Sequence, residues 1–145
     1  MLMGEYNHNL DAKGRLIIPA KLRYELGDSF VVTKGFDGCL YCYGEKEWKN
    51  IEEKFRTMPQ FNKDARKITR FFFAGAAAVE LDSQGRFLIP QSLREYAGID
   101  REVVIVGVLD RAEIWDKKRF TDKNTYSDDE MDEVAEKLSD LGLNL

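Results

Sequence analysis

The sequence predicts an α+β protein with a mainly-β core, arranged as a pseudo-twofold β-barrel flanked by helices. Three observations predict it. The chain of 145 residues repeats itself at an offset of 71. Each repeat alternates apolar and polar residues with the period of two that strands require. Longer segments beside each repeat carry apolar residues at helical spacing. Asp11, Gly14, Arg15, Ile18, Pro19, Leu22, Arg23 and Gly27 recur as Asp82, Gly85, Arg86, Ile89, Pro90, Leu93, Arg94 and Gly98, eight identities in 17 aligned positions. The match extends back through Gly4 and Gly75, and Leu10 and Leu81. After a one-residue slip it extends forward through Gly35 and Gly107, Tyr43 and Trp115, and Trp48 and Phe120. Such duplication sets architecture before any local reading does.

In the first unit, Tyr6, His8 and Leu10 alternate with polar residues and predict a strand. Asp11 to Gly14 is a turn, because Asp accepts backbone N–H bonds at its start and Gly tolerates positive φ at its end. Leu16, Ile17 and Ile18 predict a short buried strand. Pro19 forces the preceding residue into extended geometry and suits a first helical position. Leu22 and Leu26 lie one turn apart on the short helix that follows, with Gly27 beyond its end. Phe30 to Val32 restart a strand, and Phe36-Asp37-Gly38 turns into the strand Cys39 to Tyr43. Lys46 to Met58 carries Trp48, Ile51 and Phe55 at helical spacing and ends before Pro59. Asn62 caps a second helix with Ala65, Ile68 and Phe72 inward. The run Phe71-Phe72-Phe73, followed by Ala74 to Ala78, predicts that this helix ends there and a strand begins.

The second unit repeats this grammar through Val103–Val106 and Ala112–Trp115. Ser127 to Glu130 reads as a capping box, followed by Met131, Val134, Leu138 and Leu141 on one stripe. A four-stranded unit this small cannot bury its own apolar face. Residues 1–70 and 71–145 therefore read as two half-barrels of one integrated domain.

Composition narrows the function. Apolar residues make up 43% and charged residues 33%, the balance of a soluble folded protein. No window is long and apolar enough to span a membrane, and the first ten residues lack the pattern of a signal peptide. One His and two Cys cannot complete a tetrahedral zinc site, so no metal and no cofactor are expected. Cys39 and Cys42 sit within a strand, where positions three apart face opposite sides. No carboxylate stands in an apolar setting, and no nucleophile has a partner base. An enzyme is not expected, nor is a small-molecule substrate.

The net charge is −4, but its distribution is uneven. From Asp122 onward eight acids face two bases, whereas residues 1–121 carry 20 bases and 18 acids. The body is mildly basic, so nucleic acid is not excluded as a partner.

Paired Asp-x-x-Gly-Arg turns, each followed by apolar-apolar-Ile-Pro and a Leu-Arg helix, resemble the bacterial MraZ family, which is related to AbrB and MazE-type DNA-binding domains. The resemblance runs from about Met3 to Phe120 and rests on Asp11, Gly14, Arg15, Asp82, Gly85 and Arg86. It implies a double-split, swapped-hairpin β-barrel of AbrB-like type. It implies a homo-oligomeric ring that regulates transcription of the division and cell wall gene cluster through direct repeats in promoter DNA. It further implies a cytoplasmic, nucleoid-associated protein.

The residues themselves offer a mechanism. A turn ending in Gly-Arg holds a guanidinium at the edge of a hairpin, where its fork can grip a guanine edge or a phosphate. Arg15 and Arg86 are the leading DNA contacts, Lys13 and Lys21 add charge in the first half, and Gln84 supplies a neutral donor in the second. Asp11, Gly14, Asp82 and Gly85 read as structural turn residues, and each Arg could instead simply pair with the Asp of its own turn. Arg23 and Arg94 read equally as DNA contacts or as surface partners of Glu25 and Glu95. Lys54, Arg56, Lys63, Arg66, Lys67 and Arg70 form a basic run that could meet the acidic tail of a neighbouring subunit head to tail. The alternative function is a ring-forming structural or protein-binding module that never touches DNA. An antitoxin-like reading follows from the shared fold, but both DNA motifs are present and the tail is helical.

Overall fold

The computed structural model describes residues 1–145. The first unit runs β1 (Leu2–Asn9), β2 (Arg15–Ile17), α1 (Ala20–Leu26), β3 (Ser29–Lys34), β4 (Leu40–Gly44), α2 (Glu45–Arg56) and α3 (Lys63–Ala74). The second runs β5 (Ala77–Glu80), β6 (Arg86–Leu88), α4 (Gln91–Ala97), β7 (Glu102–Leu109), β8 (Ala112–Asp116), α5 (Lys117–Lys123) and α6 (Asp128–Ser139). The grammar of the two halves is the same, element for element.

Six strands form one antiparallel sheet in the order β1-β7-β8-β4-β3-β5, and β2 pairs only with β6. Exchanging the halves exchanges β1 with β5, β7 with β3 and β8 with β4, so the order reads as its own mirror. The registers place the pseudo-twofold. Leu16 faces Phe87 in the β2–β6 ribbon, and Tyr41 faces Glu113 between β4 and β8. The first strand of each unit pairs with the other unit's third strand: β1 with β7, β5 with β3. Neither half could keep these strands alone.

The sheet does not close into the cylinder that the duplication predicts. β1 and β5 are its two edges, and β2 and β6 form a separate ribbon of three residues per strand. The reason is local. Each ribbon strand is bounded by an Asp turn before it and by Ile18-Pro19 or Ile89-Pro90 after it, and proline has no N–H to extend a ladder.

Strand alternation divides the core into two layers. Leu40, Cys42, Val103, Ile105, Ala112 and Ile114 face one side, where they meet Leu16 and Phe87 of the ribbon, Leu22 and Leu26 of α1, and Leu93 and Ala97 of α4. Tyr41, Tyr43, Val104, Val106 and Trp115 face the other, under the aromatic side chains of α2, α3 and α5. The ribbon and the α2–α3 pair thus lie on opposite faces of the sheet.

α3 continues through the aromatic run, and β5 begins only at Ala77. Phe72 is buried, while Phe71 and Phe73 are half-buried on either side of it. Phe71 meets Phe36 and Tyr96, and Phe73 meets Trp48 and Phe55. Rings packed from both flanks widen the apolar arc enough for three consecutive aromatics on one helix. Asn62 caps α3 as its position predicts, accepting from the N–H groups of Asp64 and Ala65. Ser127 Oγ accepts from the Glu130 N–H at the start of α6. No residue of α6 is buried, and Met131 and Val134 of its apolar stripe are exposed.

Candidate nucleic-acid interface

The two Asp-x-x-Gly-Arg turns are built alike. Asp11 Oδ1 accepts the N–H groups of Lys13 and Arg15, both at 2.9 Å, and Oδ2 accepts from Arg15 Nε at 2.7 Å. Asp82 Oδ1 accepts the N–H groups of Gln84 and Arg86 at 2.9 Å, and Oδ2 accepts from Arg86 Nε at 2.9 Å. The Gly14 and Gly85 N–H groups close the turns onto the Asp11 and Asp82 carbonyls. Both glycines have positive φ, 80° and 76°, which ordinary side chains resist. The carboxyls of Asp11 and Asp82 are held below the usual carboxylate range, first by the backbone N–H bonds of Arg15 and Arg86 respectively.

The Arg–Asp pairing therefore exists, and it does not exclude an outward role. Only Nε is engaged, so both Nη nitrogens of Arg15 and of Arg86 have no hydrogen bond within the chain. The side chains stay 29% and 22% exposed. Directly opposed residues of an antiparallel ladder share a face, as do residues two apart on one strand. Arg15 opposes Leu88 and Ile17 opposes Arg86. These four side chains form the outer face of the ribbon, with Leu16 and Phe87 buried beneath it. The two arginines stand at diagonal corners, related by the pseudo-twofold, with backbones about 7–8 Å apart.

Arg23 and Arg94 each bond to carbonyls of their own half and lie against the turn glycine of the other. Arg23 Nη2 donates to the Ile18 carbonyl at 3.2 Å, and its guanidinium lies where a side chain on Gly85 would stand. Arg94 donates to the Ile99 and Asp100 carbonyls, and its Nη1 would stand 3.1 Å from a Cβ on Gly14. Neither pairs with Glu25 or Glu95: Glu25 binds the N-terminal amine and Glu95 accepts from Gln91. Lys13 and Gln84 occupy equivalent, exposed turn positions, and Lys21 is exposed on α1.

Reading residues 16–18 as one buried run missed the outward placement of Ile17, and of Leu88 in the second half. Ile17 is 43% exposed and Leu88 60%. The signal was present as alternation: Leu16 and Ile18 are buried, so Arg15 and Ile17 must face out. Cys39 and Cys42 are buried in different core layers, and burial pushes the Cys39 thiol up to about 12 and the Cys42 thiol higher still. Neither is a ready nucleophile or metal ligand.

The architecture defines a class: an internally duplicated α+β protein whose halves exchange strands and jointly present one ribbon with two free guanidinium forks. The family model of the MraZ protein, described as antitoxin-like, matches twice, over residues 1–71 and 72–141. The transcriptional regulator MraZ of Clostridium beijerinckii is 56% identical over 143 residues, covering 99% of this chain and all of that protein. The regulators of the same name from Thermoanaerobacter pseudethanolicus and Acetivibrio thermocellus are 54% and 53% identical with the same coverage. The chain belongs to the MraZ family.

Proposed function

We propose that this chain is a non-enzymatic, DNA-binding transcriptional regulator that lays the β2–β6 ribbon against promoter DNA. The observation that carries the reading is the placement of Arg15 and Arg86 on one exposed face, related by the pseudo-twofold, each with both Nη nitrogens uncommitted. Their Asp partners hold each guanidinium in one orientation, so little conformational freedom is lost when the fork meets a guanine edge or a phosphate. Lys13 and Lys21 add phosphate contacts in the first half, and Gln84 offers a neutral donor in the second. Arg23 and Arg94 stand behind the turns, and no hydrogen bond within the chain engages the Nη1 of either.

The exchange of β1 and β5 between halves supports a swapped-hairpin relation to AbrB-like folds, in a sheet that stays open. Identical subunits in a ring would repeat the ribbon face and read direct repeats upstream of the division and cell wall genes by avidity. A cytoplasmic, nucleoid-associated location accords with this role, and no helix here is long and apolar enough to cross a membrane. Ring closure has a chemical rationale. The groove lined by Phe36, Met58, Ile68 and Phe71 carries both Lys67 and Asp64, so it offers an apolar seat for the exposed Met131 and Val134 of a second copy's α6, with the charge steering left to the other bases of α2 and α3.

Fluorescence anisotropy with DNA from upstream of the protein's own gene, at two salt concentrations, tests the reading. Arg15→Ala and Arg86→Ala should each weaken binding by about 1–3 kcal/mol, roughly five- to 150-fold. Light scattering should show the oligomer intact. Full affinity in both variants would leave the structural-module alternative standing.

A further inference from the structure

The outer face of the ribbon is not simply cationic. Each arginine shares its charge with an aspartate, and directly across the ribbon from each stands an exposed aliphatic side chain, Leu88 opposite Arg15 and Ile17 opposite Arg86. Their strand neighbours Leu16, Ile18, Phe87 and Ile89 satisfy the core completely. Exposed branched side chains therefore occupy one diagonal of the four-residue outer face, and the hydrogen-bonding forks occupy the other. A phosphate-only gripping surface needs no exposed apolar pair, whereas the major groove offers an apolar target, the thymine 5-methyl group, beside the acceptors that arginine reads. That groove is wide enough to admit a two-stranded ribbon.

We infer that Ile17 and Leu88 are specificity-determining residues that contact thymine methyl groups in the major groove, while Arg15 and Arg86 bind alongside. This rests on the regulator reading above and adds the bases it reads. The pseudo-twofold through Leu16 and Phe87 runs normal to the ribbon, as local twofolds of antiparallel strands do. Aligned with the local dyad of a duplex, it directs Ile17 to a base on one strand and Leu88 to a base on the other. The two residues differ in shape, so the two contacts need not be equal.

The test measures the affinity of the full-length protein for a duplex spanning its footprint upstream of its own gene. That duplex is compared with versions in which deoxyuridine replaces thymidine on one strand, the other, or both. Deoxyuridine keeps every hydrogen-bonding group and removes only the methyl. The wild type should lose about fourfold for each methyl contacted. Ile17→Ser should abolish the sensitivity on one strand and Leu88→Ser on the other, and the double variant should bind all duplexes alike. Melting temperatures confirm that the variants fold, and the wild-type comparison decides the matter even if one does not. Equal wild-type affinity for all duplexes, or full sensitivity in the double variant, overturns the inference alone. Failure of the wild type to bind the unmodified duplex above its affinity for unrelated DNA overturns the regulator reading with it.

Discussion

Arg15 and Asp11 illustrate how one pair can serve fold and function together. The carboxylate organises the turn through two backbone N–H groups and steadies the guanidinium through Nε, leaving the outward nitrogens free. Because folding lowers the pKa of Asp11 and Asp82, their contribution to stability is complete above the ordinary carboxylate value near 3.8 and is lost as pH falls through the depressed folded value. Asp11→Asn with Asp82→Asn should therefore lower stability at neutral pH and flatten its decline in acid, as followed by urea melts from pH 7 down to pH 2. Gly14 and Gly85 allow a sharper comparison. Their φ values are nearly equal, so an alanine costs similar backbone strain at each, about 1 kcal/mol. Only at Gly85 would the new methyl collide with a guanidinium, that of Arg23. Gly85→Ala should thus be the more destabilising, by a margin that Arg23→Ala narrows. Equal losses would mean that Arg23 yields freely.

Among elements, the ribbon is the least regular and the most informative. Three-residue strands bury little by themselves. β2 and β6 are held by Leu16 and Phe87 below, by their turns, and by the cross-half bonds from the Ile18 N–H to the Gly85 carbonyl and from the Ile89 N–H to the Gly14 carbonyl. The two turns differ at two exposed positions, Ala12 against Ser83 and Lys13 against Gln84, and only the second changes the charge. If both approach phosphates, the first half carries more of the salt dependence. Lys13→Gln should reduce the slope of log affinity against log salt by about 0.9, and Gln84→Lys should raise it similarly. Slopes unmoved by either change would place the turn tips away from the backbone. The Asp turns, the proline stops and the Asn62 cap were legible in the sequence because each is settled by residues within five positions of one another. The outward face of Ile17 was legible too, in the alternation around it, but the apolar character of the whole run masked it. The continuation of α3 through Phe73 was not legible, because the rings that receive Phe71 and Phe73 come from distant parts of the chain, Phe36 and Tyr96, and Trp48 and Phe55.

At the scale of the molecule, the sheet separates two surfaces. The ribbon lies on one side, and the α2–α3 pair with its basic residues lies on the other, so DNA and a neighbouring subunit would not compete for the same face. Arg66→Glu with Lys67→Glu should shift the protein to smaller species in light scattering, more so at low salt, while leaving the ribbon unchanged. An unaltered oligomer would remove the proposed charge pairing. The sequence by itself determined the duplication, the order of elements and the chemistry of both turns, because these depend on contiguous residues and on a repeat that can be counted. Only the tertiary structure decided that the halves exchange edge strands, that the sheet stays open, and that two arginines 71 positions apart share one face with Ile17 and Leu88 on its other diagonal. Those outcomes depend on register and packing between distant segments, where shifting a strand by one residue would turn every side chain on it to the other side.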